Sequence, residues 1–154
     1  MKIFKLKYSQ KLPISLNEAW DFLSSPKNLE LITPKSMDFN ITDWDEKKAY
    51  PGQIIRYTVK PLLGIKINWV TEITHVQDKE YFVDEQRFGP YSFWHHKHFI
   101  KEIDNGVLME DIIHYKIPLG PIGVLLNFLF INSKLKSIFK YRKQELIKNF
   151  GDYK

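Results

Sequence analysis

Cysteine is absent from the 154-residue chain, and acidic residues are not in excess. The first absence excludes disulfide bonds, thiolate nucleophiles and cysteine-ligated metal sites. The longest nearly apolar stretch, residues 122–131, is about half of the roughly 20 residues that a membrane-spanning helix needs. The N-terminal residues alternate in polarity and lack the apolar core of a signal peptide, so we expect a cytoplasmic protein.

Glycine and proline are absent between Gly123 and Gly151. This absence predicts one long C-terminal helix, with Gly151 as its C-terminal cap. Apolar residues recur within it at steps of three and four, as expected for one buried helix face. The predicted buried face contains Val124, Phe128, Ile131, Leu135, Ile138, Phe139, Leu146 and Phe150.

Two features of the predicted helix depart from a simple amphipathic pattern. Its first half also carries apolar residues outside the buried face, namely Leu125, Leu126, Leu129 and Phe130. We expect these residues to line a pocket mouth, a dimer contact or a transient membrane contact. Arg142 lies on the predicted buried face. The favoured interpretation is that its aliphatic stem packs against the core while its charged guanidinium reaches water. The alternative is an inward guanidinium with an acidic partner.

The net charge of +5 is concentrated at the C-terminal end of the chain. Residues 134–154 contain seven Lys and Arg against two Asp and Glu, whereas residues 1–133 are neutral. A solvated helix face is the favoured interpretation, and contact with an anionic membrane or nucleic acid is the alternative. No nucleic-acid-binding motif accompanies the charge, so we expect no nucleic-acid partner.

The chain before this helix is predicted to be mostly strands. Residues 3–11 alternate in polarity, as expected for an edge strand, and Ser15 and Glu18 have capping-box spacing before a helix over residues 16–23. A second short helix is predicted from Ser25 to about Ile32. The remaining strands are predicted over residues 39–44, 53–61, 65–76, 81–88, 93–103 and 107–117. The predicted α+β fold is a single domain, in which a curved antiparallel sheet of six or seven strands wraps around the C-terminal helix.

The last two predicted strands bring polar residues to one face. With Asn105-Gly106 as a type I′ turn, that face contains Trp94, His96, His98, Ile100, Asp111, Ile113, Tyr115 and Ile117. Buried polar groups need partners, so this surface favours a partly polar cavity over a plain core. With Asp78-Lys79 as the preceding turn, another face combines Trp69, Thr71, Ile73 and His75 with Phe82, Asp84, Gln86 and Phe88.

Several segments carry a family resemblance: residues 82–91 (FVDEQRFGPY), 94–98 (WHHKH), 111–118 (DIIHYKIP), 120–123 (GPIG) and 138–142 (IFKYR). Together with the element order, they resemble a bacterial ligand-binding branch of the START-related helix-grip superfamily (SRPBCC). That superfamily includes polyketide cyclases and dehydrases, lipid-transfer domains and ligand carriers. The resemblance implies a deep hydrophobic cavity between the sheet and the long helix.

We therefore predict binding of a hydrophobic or amphipathic small molecule or lipid, without a cofactor, in a cavity of roughly 300–1,000 Å³. The alternative is a cyclase- or dehydratase-like enzyme with His98, Asp111 and Tyr115 as an acid–base set. A metal site formed by His96, His98 and Asp111 is less favoured than hydrogen-bonded polar groups. The candidate ligand contacts are Trp69, Phe82, Asp84, Gln86, Trp94, His96, His98, Asp111, Tyr115, Phe128, Leu135 and Arg142.

Overall fold

One antiparallel sheet of seven strands dominates the structure, a computed structural model that describes residues 2–61 and 64–154. The order across the sheet is β1-β7-β6-β5-β4-β3-β2, so β1 lies at an edge as predicted. Its strands are β1 (Phe4–Leu12), β2 (Asn40–Asp43), β3 (Gln53–Val59), β4 (Ile67–Gln77), β5 (Tyr81–Phe88), β6 (Phe93–Ile103) and β7 (Gly106–Lys116).

Short helices connect β1 to β2. Helix α1 (Leu16–Leu23) begins with the predicted capping box, in which Ser15 and Glu18 each bind the other's backbone N–H. The predicted second helix is a short 3₁₀ helix, Pro26–Leu29, and another 3₁₀ helix, Lys35–Met37, follows it. These segments cover one end of the concave sheet face.

The C-terminal helix, Gly120–Phe150, has three parts: α2 (Gly120–Leu126), a π turn (Asn127–Ile131) and α3 (Asn132–Phe150). Gly151 ends it with a φ of 91°, as the sequence predicted. By length and composition alone, the helix could cross a membrane, but the core helix of a soluble protein can have the same length and composition.

The buried core has two main parts. In one, the inner face of the sheet packs against α1 and the last part of α3 through residues such as Ile73, Trp20 and Leu146. In the other, the sheet packs against the C-terminal helix through residues such as Ile113 and Leu135. The predicted architecture, a curved antiparallel sheet wrapped around a long C-terminal helix, is confirmed.

The β6–β7 hairpin is offset by two residues from the predicted register. Ile103 pairs with Gly106, so Asp104 and Asn105 form the turn, and of these only Asn105 has a positive φ. A type I′ turn needs positive φ at both central residues, so the predicted turn type is wrong. Because side chains alternate with a period of two, the even offset preserves the predicted inward face.

Two β-bulges interrupt the β4–β5 hairpin. Ile73 pairs with Asp84 as predicted, but His75 pairs with Val83, one position from its predicted partner. The extra residue between Ile73 and His75 turns the His75 side chain to the exposed face. A second bulge, between the Val70 and Thr71 pairs, leaves Phe88 exposed. The predicted face is therefore wrong for His75 at one end of the hairpin and for Phe88 at the other.

The π turn determines which residues of the first helical half face the sheet. Its wider turn places the buried positions at Gly123, Asn127, Ile131 and Leu135. A uniform period of 3.6 residues puts Phe128 on the buried face, yet Phe128 is 82% exposed. The prediction that Phe128 is buried is wrong, because the extra residue of the π turn rotates its side chain outward.

Candidate functional site

A cavity of about 210 Å³ lies between the inner sheet face and the C-terminal helix. Strands β3 to β6, the segment after α1 and the helix all contribute to its lining, which is mainly apolar. Its volume is smaller than the predicted range of roughly 300–1,000 Å³. The cavity therefore accommodates a small molecule or one end of a longer one.

An aromatic wall forms one side of the cavity. The Trp69 ring centre lies 5.5 Å from that of Trp94 and 5.6 Å from that of Tyr91, both in edge-to-face contact. The Trp69 indole donates a hydrogen bond to the Thr71 hydroxyl over 3.1 Å, which fixes the ring orientation. This wall presents ring surfaces suited to an apolar ligand.

Eight of the twelve predicted ligand contacts line the cavity: Trp69, Phe82, Asp84, Trp94, His96, His98, Leu135 and Arg142. Four lie elsewhere. The Gln86 side chain binds the Tyr91 backbone, and Asp111 lies behind the histidines. Tyr115 is 1% exposed within the core, and Phe128 faces outward.

A buried polar cluster of Asp84, His96, His98, Asp111 and Arg142 stands at one side of the cavity. It forms because β6 lies between β5 and β7 in the sheet. Asp84 pairs with His96, and His98 pairs with Asp111, so two carboxylates flank two imidazoles on the same face. Arg142 reaches this cluster from the C-terminal helix.

The two imidazoles share both carboxylates. Asp84 Oδ2 lies 2.7 Å from His98 Nε2 and 3.3 Å from His96 Nδ1. Asp111 Oδ1 lies 3.1 Å from His96 Nε2, 2.9 Å from His98 Nδ1 and 3.2 Å from Arg142 Nη1. The His98 Nδ1 contact is close but misaligned for a hydrogen bond. Arg142 thus follows the inward alternative, with an acidic partner.

Charge interactions override burial within this cluster. Burial alone lowers the pKa of His96, but the neighbouring Asp84 and Asp111 raise that pKa to about 9. Burial alone raises the pKa of Asp111, but Arg142 and both histidines hold it well below its usual range. The pKa of Asp84 is likewise lowered by the histidines against the effect of burial. At neutral pH, both carboxylates are ionised and His96 is protonated.

Asn127 is a structural residue that sequence reasoning missed. It is 5% exposed, and its Oδ1 accepts a hydrogen bond from the Tyr115 hydroxyl over 2.8 Å. This contact holds the π turn against β7 and occupies the Tyr115 hydroxyl. The signal in the sequence was a single amide within the apolar residues 122–131.

An exposed apolar patch occupies the outer side of the first half of the C-terminal helix. Its exposed fractions range from 51% for Leu129 to 82% for Phe128. Within the chain that the structure describes, the following apolar residues of this patch are exposed: Leu119, Ile122, Leu125, Phe128, Leu129 and Phe130. Leu126, predicted to share this surface, instead is half-buried against the core.

Solved structures share the fold of this chain. Protein CV1439 from Chromobacterium violaceum superposes with a TM-score of 0.72 at 8% identity, over 97% of this chain and 98% of its own. Protein Ms6760 from Mycobacterium smegmatis superposes with a TM-score of 0.66 at 16% identity, over 94% of this chain and 92% of its own. Ara h 8.0201, a helix-grip protein, superposes with a TM-score of 0.61 at 14% identity, over 96% of this chain and 100% of its own. The chain has a helix-grip fold.

No family model and no curated protein matches the sequence. At these low identities, the likeness to the solved helix-grip structures concerns the fold and not the function. Three features of this helix-grip domain bear on its function: the cavity, the buried polar cluster and the apolar patch.

Proposed function

We propose that this helix-grip protein belongs to the START-related superfamily and binds a hydrophobic or amphipathic small molecule or lipid. The observation that carries the proposal is the largely apolar cavity of about 210 Å³ between sheet and helix. Apolar cavities with a few polar groups are typical of small-molecule sites, where burial supplies affinity and the polar groups fix orientation.

An amphipathic ligand matches the two kinds of lining. Its apolar part would contact the wall that contains Trp69 and Trp94, and its polar end would approach the buried polar cluster. Arg142 supports this orientation, because its Nε is buried without a hydrogen-bond partner. A ligand oxygen that accepts a hydrogen bond from Arg142 Nε would supply the missing partner.

A membrane is the proposed source or destination of the ligand. Phe130 of the apolar patch directly precedes Ile131, which lines the cavity, and exposed Leu31 directly precedes Ile32, which also lines it. Lys136 is exposed on the same helix, beyond Ile131. Apolar side chains flanked by lysines fit the interface of an anionic bilayer.

The test of ligand binding uses a cavity-filling variant. Ile138→Trp adds bulk at a half-buried cavity position, and Ile54→Trp makes the same change on the outer sheet face. We expect Ile138→Trp to lower the affinity for a fluorescent fatty-acid probe at least tenfold, and Ile54→Trp to leave it unchanged. Equal affinities in the two variants would place the probe outside the cavity and contradict the proposal.

A cyclase- or dehydratase-like enzyme is the second candidate. The observation in its favour is that His98 faces the cavity with Asp111 behind it, an arrangement suited to general acid–base chemistry. Tyr115, the third member of the predicted set, donates a hydrogen bond from its hydroxyl to Asn127 and does not line the cavity. Conversion of a polyketide-like substrate by the wild type, reduced roughly 10²-fold or more in His98→Gln with binding retained, would favour the enzyme.

A further inference from the structure

The cavity-facing edge of the buried polar cluster has the composition of a metal site. Asp84, His96 and His98 each offer one ligand atom there, and these three atoms lie within 4.8 Å of one another. The combination of two imidazoles and one carboxylate is used by zinc enzymes and by non-haem iron sites. We propose that Asp84, His96 and His98 bind a divalent transition-metal ion, with Zn²⁺ as the reference ion.

The spacing suits one ion held by all three residues. Ligand atoms about 2.0–2.2 Å from Zn²⁺ in a tetrahedron lie roughly 3.4 Å apart. Asp84 Oδ2 is 3.3 Å from His96 Nδ1 and 2.7 Å from His98 Nε2. The first distance already fits, and the second needs a shift of less than 1 Å to admit an ion between the three atoms. Because His96 is protonated at neutral pH, the ion replaces the proton on His96 Nδ1, which is released to solvent.

The outer partners of the three ligands support this assignment. The second ring nitrogen of His96, Nε2, forms a hydrogen bond with Asp111 Oδ1 over 3.1 Å. That of His98, Nδ1, lies 2.9 Å from the same oxygen but is misaligned for a hydrogen bond. Metal-binding histidines commonly present their other nitrogen to a carboxylate, which fixes ring orientation. Asp111 is in turn held by Arg142. Asp111, which sequence reasoning included in a candidate metal set, thus serves as outer support, and Asp84 takes its place as ligand.

The third ligand is oriented in the same way. The Trp94 indole N–H donates to Asp84 Oδ1 over 3.2 Å, which leaves Asp84 Oδ2 directed at the histidines. The Asp84 side chain is 16% exposed and those of both histidines are 8% exposed. All three line the cavity, so a metal ion can enter through it and retain a coordination position open to a ligand oxygen.

The decisive measurement is calorimetric titration of EDTA-treated, dialysed protein with Zn²⁺. We expect one Zn²⁺ per chain. His96→Gln and Asp84→Asn each remove a ligand and should lower the affinity at least 100-fold, whereas Asp111→Asn should lower it about 10–100-fold by disturbing the outer partner. His95→Gln is the matched control, because His95 is adjacent in sequence but faces outward and contacts Glu85.

Substitution by Co²⁺ provides a second readout, since visible absorption bands report ligand geometry and should be lost in His96→Gln. Circular dichroism of each variant verifies folding; should His96→Gln not fold, His98→Asn or Asp84→Asn decides the result. Binding of no Zn²⁺ by the wild type, or equal weakening in His95→Gln and His96→Gln, would overturn the proposal. Fatty-acid-probe binding is measured separately with metal-free protein, so the two proposals fail independently.

Discussion

The two halves of the C-terminal helix differ in how they use apolar residues. In Asn132–Phe150, apolar residues such as Leu135 and Leu146 are buried against the sheet, and the outer side carries lysines. In Gly120–Leu126 and the π turn that follows, large apolar residues such as Leu125 and Phe128 lie on the outer side. The same residue types thus serve packing in one half and an exposed surface in the other.

This difference shows that apolar content alone does not determine burial. The second half gains its stability from contact with the sheet, whereas the first half retains an apolar surface that is available to a partner. The π turn at Asn127–Ile131 separates the two halves. Such π turns often occur at functional sites. The comparison predicts that substitutions in the second half affect stability and those in the first half affect binding.

Removal of the buried charge of Arg142 in the second half should have the largest effect on the free energy of unfolding. Arg142→Met deletes a cation that contacts ionised Asp111 in a buried setting. Loss of one partner of a buried ion pair costs about 3–5 kcal/mol in the free energy of unfolding. Urea denaturation measures this loss. The matched Lys143→Met change, at an exposed neighbour, should stay within about 0.5 kcal/mol, and an equal loss in both variants would contradict the assignment.

Truncation of leucines tests the comparison directly. Leu146 is 1% exposed and Leu125 is 56% exposed. We expect Leu146→Ala to lower the free energy of unfolding by about 2–5 kcal/mol, because it removes buried methyl groups and leaves a cavity. Leu125→Ala should change it by less than about 0.5 kcal/mol. Similar destabilisation of both variants in thermal and urea unfolding would remove the distinction between the halves.

The junction between the halves should show an intermediate effect. Asn127→Leu leaves the buried Tyr115 hydroxyl without its acceptor, at a cost of about 1–3 kcal/mol in unfolding free energy. In the Tyr115→Phe background, the same substitution should cost much less, because the hydroxyl is already gone. A double-mutant cycle measures this coupling, and additive effects of the two changes would argue against the hydrogen bond.

The smallest stability effect, paired with a clear binding effect, is expected in the first half. Leu125→Ser combined with Phe128→Ser should keep the unfolding free energy within about 1 kcal/mol while reducing binding to anionic phospholipid vesicles. Co-sedimentation measures the bound fraction. The control combines Ile54→Ser with Phe99→Ser, two exposed apolar positions on the sheet. Equal binding by both double variants would show that the apolar patch does not contact the membrane.

Sequence periodicity predicted the inner face of the β6–β7 hairpin correctly despite the wrong register. The offset is two residues, which preserves alternation, so His96, His98 and Asp111 still face inward. Asp84 was correctly paired with Ile73, because the central part of the β4–β5 hairpin is regular. The polar cluster was therefore largely predictable from strand alternation.

Irregular insertions explain the errors. The bulge before His75 and the π turn that contains Phe128 each add one residue to a regular element, which rotates the side chains on one side of the insertion. Periodicity assumes a constant repeat, so it carries no signal for such an insertion. The hydrogen bond from Tyr115 to Asn127, made across the fold, helps to hold the π turn in place.

The edge position of β1 has a consequence for how molecules of this protein meet in concentrated solution. Along this nine-residue strand, Lys5, Lys7 and Lys11 are exposed and alternate with partly buried residues. A second copy adding a strand to this edge would bring ammonium groups of the two chains close together and repel itself. The β1 edge is thus protected against edge-to-edge pairing, and self-association on this side of the fold should instead use the exposed leucines and phenylalanines of the C-terminal helix.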